Sequence, residues 1–372
     1  MFYIIGLQFE EYFGPLRLLS SHLFLLAFGT ISSALFIWIL LPRFSRYLPG
    51  DRGKKIAADG GLSSKGKPTG AGIVISLLSL PIILLVVPFN ISIYGILLAL
   101  YLSMWFGYLD DSGQFAWGEW KKGLLDVIVA IIAAVCICHF DYYTIWFPFV
   151  KNSISVSPWQ FIPLGAFIIW ISMNATNCSD GVDGLAGSLV LLSLFTVGLF
   201  LYGVVGNQPI AKYLLVPHNP EGASWAILIA SISGALAGYL WHNAEPSRIL
   251  MGDAGSRFLG LLIGVAVLVS GNPFLILVIS PVILVNGGTG LLKLLLLRLL
   301  SKLGFDITNP YKEGIKKIES KLIIKALHKY TFPLHDHCRK KLKWSNSQVL
   351  LRFVLVQALL IPLLFVILIK VR

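Results

Sequence analysis

Apolar residues run along this chain in long blocks, and the polar residues gather in the gaps between them. Ten blocks approach or exceed the roughly 20 residues that a helix needs to cross about 30 Å of hydrocarbon. They fall at about 18–41, 71–88, 91–109, 123–140, 159–176, 184–205, 224–241, 256–270, 274–303 and 347–370. Blocks of this length exclude a membrane β-barrel, whose strands are shorter and alternate in polarity. The pattern predicts an all-α polytopic membrane protein with about ten transmembrane helices. The first block is too long for a signal-peptide core and no basic segment precedes it, so it is expected to stay in the mature protein. No internal repeat or low-complexity tract interrupts the series. A single integral membrane domain over residues 1–372 is expected.

Composition agrees: 13% of residues are charged, against about 25% in a soluble globular domain. The distribution of charge adds orientation. The gaps after the first, third, fifth, seventh and ninth blocks hold 22 Lys and Arg, counting Arg298 and Lys302 with the last of them. The other side, termini included, holds five: Arg17, Lys151, Lys212, Lys370 and Arg372. Arg257, Lys293 and Arg352 fall inside blocks. Basic residues stay in the cytoplasm, so both termini are expected outside, and the odd-numbered gaps face the cytoplasm. The net charge of +12 is thereby concentrated on one membrane face, where it attracts anionic lipid and anionic soluble substrates. The four cysteines give no disulfide framework: Cys136 and Cys138 sit within one block, and Cys178 and Cys338 lie on the reducing side. The run "CICH" at 136–139 invites a metal reading, but packing inside an apolar helix explains it better.

The acids collect on the same face. "GYLDDSGQ" carries Asp110 and Asp111 after the third block. "NATNCSDGVDGLAG" carries Asn174, Asn177, Asp180 and Asp183 after the fifth, and "NAEPSRILMGDAGS" carries Asn243 and Asp253 before the eighth. "PLHDHCRKK" carries His335, Asp336 and His337 before the tenth. Helix capping accounts for Asp183 and Asp253, which each precede an apolar block. It does not account for Asp110 and Asp111 at a helix C-terminus, where the macrodipole disfavours negative charge. Two carboxylates there call for a cation, either a metal ion or a basic side chain. Glycines beside the acids permit close backbone approach, and hard oxygen ligands with open positions suit Mg²⁺ bridging a substrate phosphate. The basic, glycine-rich stretch "RGKKIAADGGLSSKGKPTGAG" reads equally as a phosphate-contacting loop and as a positive-inside anchor; it lacks the Walker A spacing. Within the cytoplasmic loop of about 304–334, Ile315, Ile318, Leu322 and Tyr330 lie near one helical face, which predicts an amphipathic surface helix over 315–330.

From "KGKPTGAGI" at 65–73 to "PLHDHCRKKLKWSNSQVLLRF" at 333–353, the chain resembles the polyprenyl-phosphate N-acetylhexosamine-1-phosphate transferase superfamily. The histidine segment is most similar to its phospho-N-acetylmuramoyl-pentapeptide transferase branch, which acts in peptidoglycan synthesis. The resemblance implies ten transmembrane helices with both termini outside, in the bacterial inner (plasma) membrane. It implies attack by undecaprenyl phosphate on UDP-N-acetylmuramoyl-pentapeptide, with release of UMP. Expected partners are therefore these two substrates, the lipid bilayer and a second copy of the chain in a homodimer, with no nucleic acid. By the same resemblance Asp253 is the expected Mg²⁺ ligand, and Asp110 and Asp111 orient the lipid phosphate or help to deprotonate it. Asn174, Asn177, Asp180, Asp183 and Asn243 line the nucleotide-sugar and metal pocket, with Asp180 the second metal ligand, and Thr69 belongs to the substrate site. His335 and His337 contact the diphosphate or sugar end. Three positions depart from the family: Gln114 replaces a lysine, for which Lys121 or Lys122 is the candidate substitute; Lys67 replaces a threonine; and Asp336 replaces the middle one of three histidines.

A related transferase moving N-acetylglucosamine phosphate is the competing enzyme reading, and "PLHDH" argues against it. A secondary transporter would place ionisable groups near the bilayer midplane, often with inverted repeats; here the acids gather at the ends of the blocks and no repeat shows. UMP release from a UDP-sugar in detergent separates enzyme from transporter. The charge asymmetry gives a first prediction: a cysteine placed in the 304–334 loop resists impermeant thiol reagents in intact cells. Labelling from outside overturns the orientation and, with it, the cytoplasmic grouping of the acids.

Overall fold

A computed structural model describes residues 1–53, 64–113, 115, 117–305, 327, 329 and 331–367. The expected surface helix over 315–330 and Gln114 therefore lie outside the described residues, apart from 327 and 329. The helices run α1 Phe2–Phe9, α2 His22–Phe44, α3 Ala71–Val86, α4 Ile91–Ser112, α5 Glu119–Cys138, α6 Pro158–Ser179, α7 Leu185–Phe200, α8 Gln208–Leu214, α9 Gly222–Asn243 and α10 Gly252–Val269. There follow α11 Ile276–Ile279, α12 Pro281–Ile283 and α13 Thr289–Lys302, then Leu334–Lys340, Asn346–Leu360 and Leu363–Ile367. Over their described residues, the ten apolar blocks fall mainly on helix. Among the described residues, seven helices are long and apolar enough to cross a membrane: His22–Tyr47, Ile91–Ser112, Pro158–Ser179, Leu185–Val205, Gly222–Asn243, Gly252–Val269 and Pro281–Lys302. Ala71–Val86 and Asn346–Leu360 are shorter apolar helices.

Local chemistry sets many of the starts. The Ser21 hydroxyl accepts from Phe24 N, and Asn90 Oδ1 accepts from Ile93 N at 2.7 Å. Ser345 and Gln348 form a capping box at the head of Asn346–Leu360. The ninth block is not the continuous helix the sequence predicts. Pro281 disfavours helical geometry at Ser280, whose φ and ψ are −132° and 36°, and a π-turn follows at Leu284–Gly288. That turn brings Gly287 against the backbone of α6, where an added Cβ would lie 2.8 Å from Ala175 Cα. Also unforeseen are α1, α8 and a short antiparallel hairpin pairing β1 (Tyr143–Ile145) with β2 (Ile154–Val156).

The centre of the bundle is α10, buried from Ala254 to Val269. Lipid tails give apolar helices no hydrophobic drive to associate, so close packing at small residues has to supply it. A Cβ on Gly260 would lie 2.6 Å from Met173 Cα, and one on Gly264 would lie 2.8 Å from Ile169 Cα, both in α6. On another face, a Cβ on Gly107 of α4 would lie 2.6 Å from Ala254 Cα. These approaches bring the ends of α4 and α6 to the start of α10, where the acidic motifs lie.

The packing predicts a contrast between two glycines. Gly264→Ala forces α6 and α10 apart and should cost about 1–3 kcal/mol, as overpacking does, read as a lowered melting midpoint in detergent. A Cβ on Gly123, in α5, meets nothing within 4 Å, so Gly123→Ala should leave the midpoint unchanged or raise it. Equal midpoints for the two variants would refute the close approach.

Candidate functional site

The N-terminal turn of α10 exposes backbone N–H groups with no partner inside the helix. Asp253 stands in that turn but does not cap it. Asp111, from the last turn of α4, does: its Oδ1 accepts from Asp253 N and its Oδ2 from Ala254 N, both at 3.0 Å. The approach depends on Gly252, at φ +71°, where a Cβ would come within 2.6 Å of Gly70 N. The macrodipole objection to acids at the end of α4 is met twice. The positive end of α10 faces Asp111, and the Arg52 guanidinium donates to the carbonyls of Asp110 (2.9 Å), Asp111 (3.3 Å) and Gly113.

With the cap supplied by Asp111, the carboxylate of Asp253 faces a cavity of about 230 Å³. Asp51, Arg52, Gly53, Thr69, Asp110, Asp111, Lys122 and Asp253 line it. The cation wanted by the paired acids is Lys122. Its Nζ pairs with Asp110 Oδ2 and lies 3.0 Å from Asp253 Oδ2. Burial lowers the affinity of Lys122 for its proton, but the charges of Asp253 and Asp110 outweigh this and hold its pKa above the ordinary lysine value. Lys121 turns away and lies 3.6 Å over the Trp117 ring, while Trp117 N donates to Asp110 Oδ1 at 2.6 Å. Thr69 is buried and held by backbone pairing: Thr69 N donates to Pro49 O at 2.9 Å, and Leu250 N to Pro68 O at 2.8 Å.

The other candidates form separate groups. Asp183 Oδ2 accepts from Ser247 N at 2.9 Å. Asn243 bridges Gly184 N and Ile249 O, each at 2.8 Å. Lys67, at the threonine position, reaches this group, with Nζ 3.1 Å from Ser247 Oγ and 3.9 Å from Asp183 Oδ2. Asn174 points into the bundle, where its amide donates to Asp126 Oδ2 at 3.2 Å and to Trp170 O at 2.9 Å. Asn177 and Asp180 stand at the C-terminal end of α6, with Asp180 N donating to Asn177 O, and neither is among the residues lining the cavity. His335 is buried, and its backbone N and Nδ1 both meet Asn286 Oδ1, at 2.9 and 3.1 Å. Asn286 belongs to the π-turn, so the break in the ninth block is what holds the histidine segment. His337 Nδ1 accepts from Thr331 N at 3.2 Å. Asp336, in place of a histidine, lies within 3.6 Å of Lys340 and 3.9 Å of Arg339.

Sequence reasoning missed Asp126 and Asn286, took Arg52 only as part of a basic loop, and left Arg257 unexplained. For Asp126 and Arg257 a signal was there: each is a charge inside an apolar block. Among the described residues, no group of three or more His, Cys, Asp or Glu side chains is placed to hold a metal ion. Mg²⁺ commonly uses only one or two carboxylates, together with waters and substrate phosphates. Asp253, whose carboxylate lines the cavity, is a donor of that kind, so the residues present fit it.

Residues 93–271 match the family described as Glycosyl transferase family 4. Proteins named phospho-N-acetylmuramoyl-pentapeptide-transferase from two strains of Treponema pallidum are each 45% identical over 365 residues, covering 97% of this chain and 94% of theirs. One of the same name from Nautilia profundicola is 28% identical over 327 residues, covering 86% of this chain and 85% of its own. On 45% identity along nearly its whole length, the chain belongs to the phospho-N-acetylmuramoyl-pentapeptide-transferase family.

Proposed function

We propose that the chain transfers phospho-N-acetylmuramoyl-pentapeptide from UDP-N-acetylmuramoyl-pentapeptide to undecaprenyl phosphate, in the bacterial plasma membrane. The product is the first lipid-linked intermediate of peptidoglycan synthesis. An oxygen of the lipid phosphate bonds to the sugar-side phosphorus of the diphosphate. The phosphorus–oxygen bond to the uridine-side phosphate breaks, and UMP leaves with the electron pair. One observation carries the reading: a pocket of four carboxylates and two cations, built at the head of a buried helix of a polytopic membrane protein. Phosphoryl transfer chiefly requires positioning and neutralisation of charge, and a site at the end of the bundle can meet a lipid and a soluble nucleotide together.

The roles divide by contact. Asp111 spends both oxygens on α10 and so positions Asp253. Asp110, whose Oδ1 accepts from Trp117 N and whose Oδ2 pairs with Lys122, shares with Asp111 the assignment to the lipid phosphate made on sequence grounds. Lys122 and Arg52 bring positive charge to the incoming phosphates. Asp253 is the Mg²⁺ ligand in this reading, with Asp180 the second ligand assigned on sequence grounds. Bound there, Mg²⁺ would neutralise charge on the diphosphate. Asn177, Asp180, Asp183 and Asn243 are assigned to the nucleotide sugar, and His335 and His337 to its diphosphate or sugar end.

Two experiments test the reading. Asp253→Asn keeps the shape of the side chain but removes its charge. Near-complete loss of turnover is expected with the melting midpoint preserved, and the wild type should require Mg²⁺ or Mn²⁺. Full turnover in EDTA, or an active Asp253→Asn variant, would sink the assignment. The donor is tested with His335→Ala and His337→Ala together. Severe loss of transfer from the muramoyl-pentapeptide donor is expected from protein that still inserts. An anchor for the last helix needs charge but no histidine, so untouched activity would favour that role instead. Transfer of N-acetylglucosamine phosphate alone by the wild type would overturn the choice of donor.

A further inference from the structure

Arg257 lies one turn along α10 from Asp253, with its side chain only 6% exposed. A buried guanidinium in a membrane bundle is costly and needs a partner. Asp126 of α5 supplies one, pairing through Oδ1 with Arg257 Nη1. Asn174 of α6 donates to the other oxygen of Asp126 at 3.2 Å and is itself tied to Trp170 O. Three helices thus converge on one guanidinium. Neutralisation of Arg257 would be complete at this point. Yet its Nε is buried, forms no hydrogen bond, and lies 3.6 Å from Asp253 Oδ2. The same oxygen is approached by Lys122 Nζ at 3.0 Å. The planar guanidinium holds its donors in a rigid fork, with Nη1 on Asp126 and Nε toward Asp253, whereas a lysine ammonium is a single point charge on a flexible stem.

We propose that Arg257 is a positioning residue for the transfer reaction. Asp126, itself held by Asn174, fixes its guanidinium, and the guanidinium charge, with Nε 3.6 Å from Asp253 Oδ2, holds the Asp253 carboxylate in place beside Lys122. The inference rests on the reading of Asp253 as a participant in transfer. It gives Asn174 a task inside the bundle, distinct from contact with the nucleotide sugar. It also gives the two intramembrane charges, Asp126 and Arg257, a common purpose.

The test uses the full-length chain in detergent, with kcat, KM for the nucleotide sugar and the melting midpoint measured for each variant. Removing one member of a buried pair strands the other, so Asp126→Leu and Arg257→Leu are made together. This double variant should melt near the wild type, with kcat reduced about 10- to 100-fold, the loss expected from misplacing a reacting group by about 1 Å. KM should stay within about threefold, since a group that acts on turnover need not bind the ground state. Arg257→Lys keeps the charge beside Asp126 but loses Nε, and its kcat should fall between the two. It keeps the question answerable if the double variant does not fold. A wild-type kcat in either variant overturns the proposal. Asp253→Asn separates the two levels of inference. If it is inactive while the Arg257 variants turn over normally, only the positioning role falls; if it is active, the reading of Asp253 falls as well.

Discussion

The carboxylate of Asp111 caps a helix to which it does not belong. Two of the N–H groups at the half-buried head of α10 have no partner within their own helix, and the Asp111 carboxylate accepts from both. Satisfying them from α4 fixes the end of one helix against the start of another. It also settles a conflict within the sequence. Asp253 is placed to cap its own helix, and had it done so its charge would be turned inward. With Asp111 in that role, the Asp253 carboxylate faces the cavity and meets Lys122.

That arrangement requires backbones to come closer than ordinary side chains allow. Gly252 and Gly107 make room where Asp111 reaches α10, and Gly260 and Gly264 do the same along α6. In water such contacts supplement hydrophobic burial. Between helices in lipid, van der Waals contact and hydrogen bonding carry the association instead. The same glycines therefore hold the bundle together and set the positions of the charged groups. A loss of packing at α10 should be felt first as misplacement of Asp253.

Charge alternates through this end of the molecule. Arg52 covers the carbonyls of α4, Lys122 stands between Asp110 and Asp253, and Arg257 stands between Asp253 and Asp126. From Asp110 to Asp126, each buried or half-buried charge thereby has an opposite neighbour, which limits the desolvation cost of gathering so many ions at a membrane face. Opposed charges of this kind also suit a site that receives phosphates, because cations already held in place need little reorganisation when an anionic substrate arrives.

What the sequence determined by itself are the properties that depend on local composition. The length of each apolar block set the helices, the bias of Lys and Arg set the orientation expected for them, and the gaps that hold Asp110, Asp111, Asp183 and Asp253 fell together at one end. Capping residues such as Asn90 and Ser345 marked their own helix starts, because a cap acts within one turn. The tertiary structure alone decided which residues meet. Asp111 and Asp253 are 142 positions apart, Lys122 and Asp253 are 131 apart, and Arg52 and Asp110 are 58 apart. No local periodicity encodes such pairings. For the same reason Lys121 and Lys122 could not be told apart in the sequence, the bond from Asn174 to Asp126 could not be foreseen, and the break at Ser280 could not be seen as the support for His335. Helix periodicity and bilayer thickness act over a few turns of chain; the direction of a carboxylate is fixed by whichever backbone and cation the packed bundle brings to it.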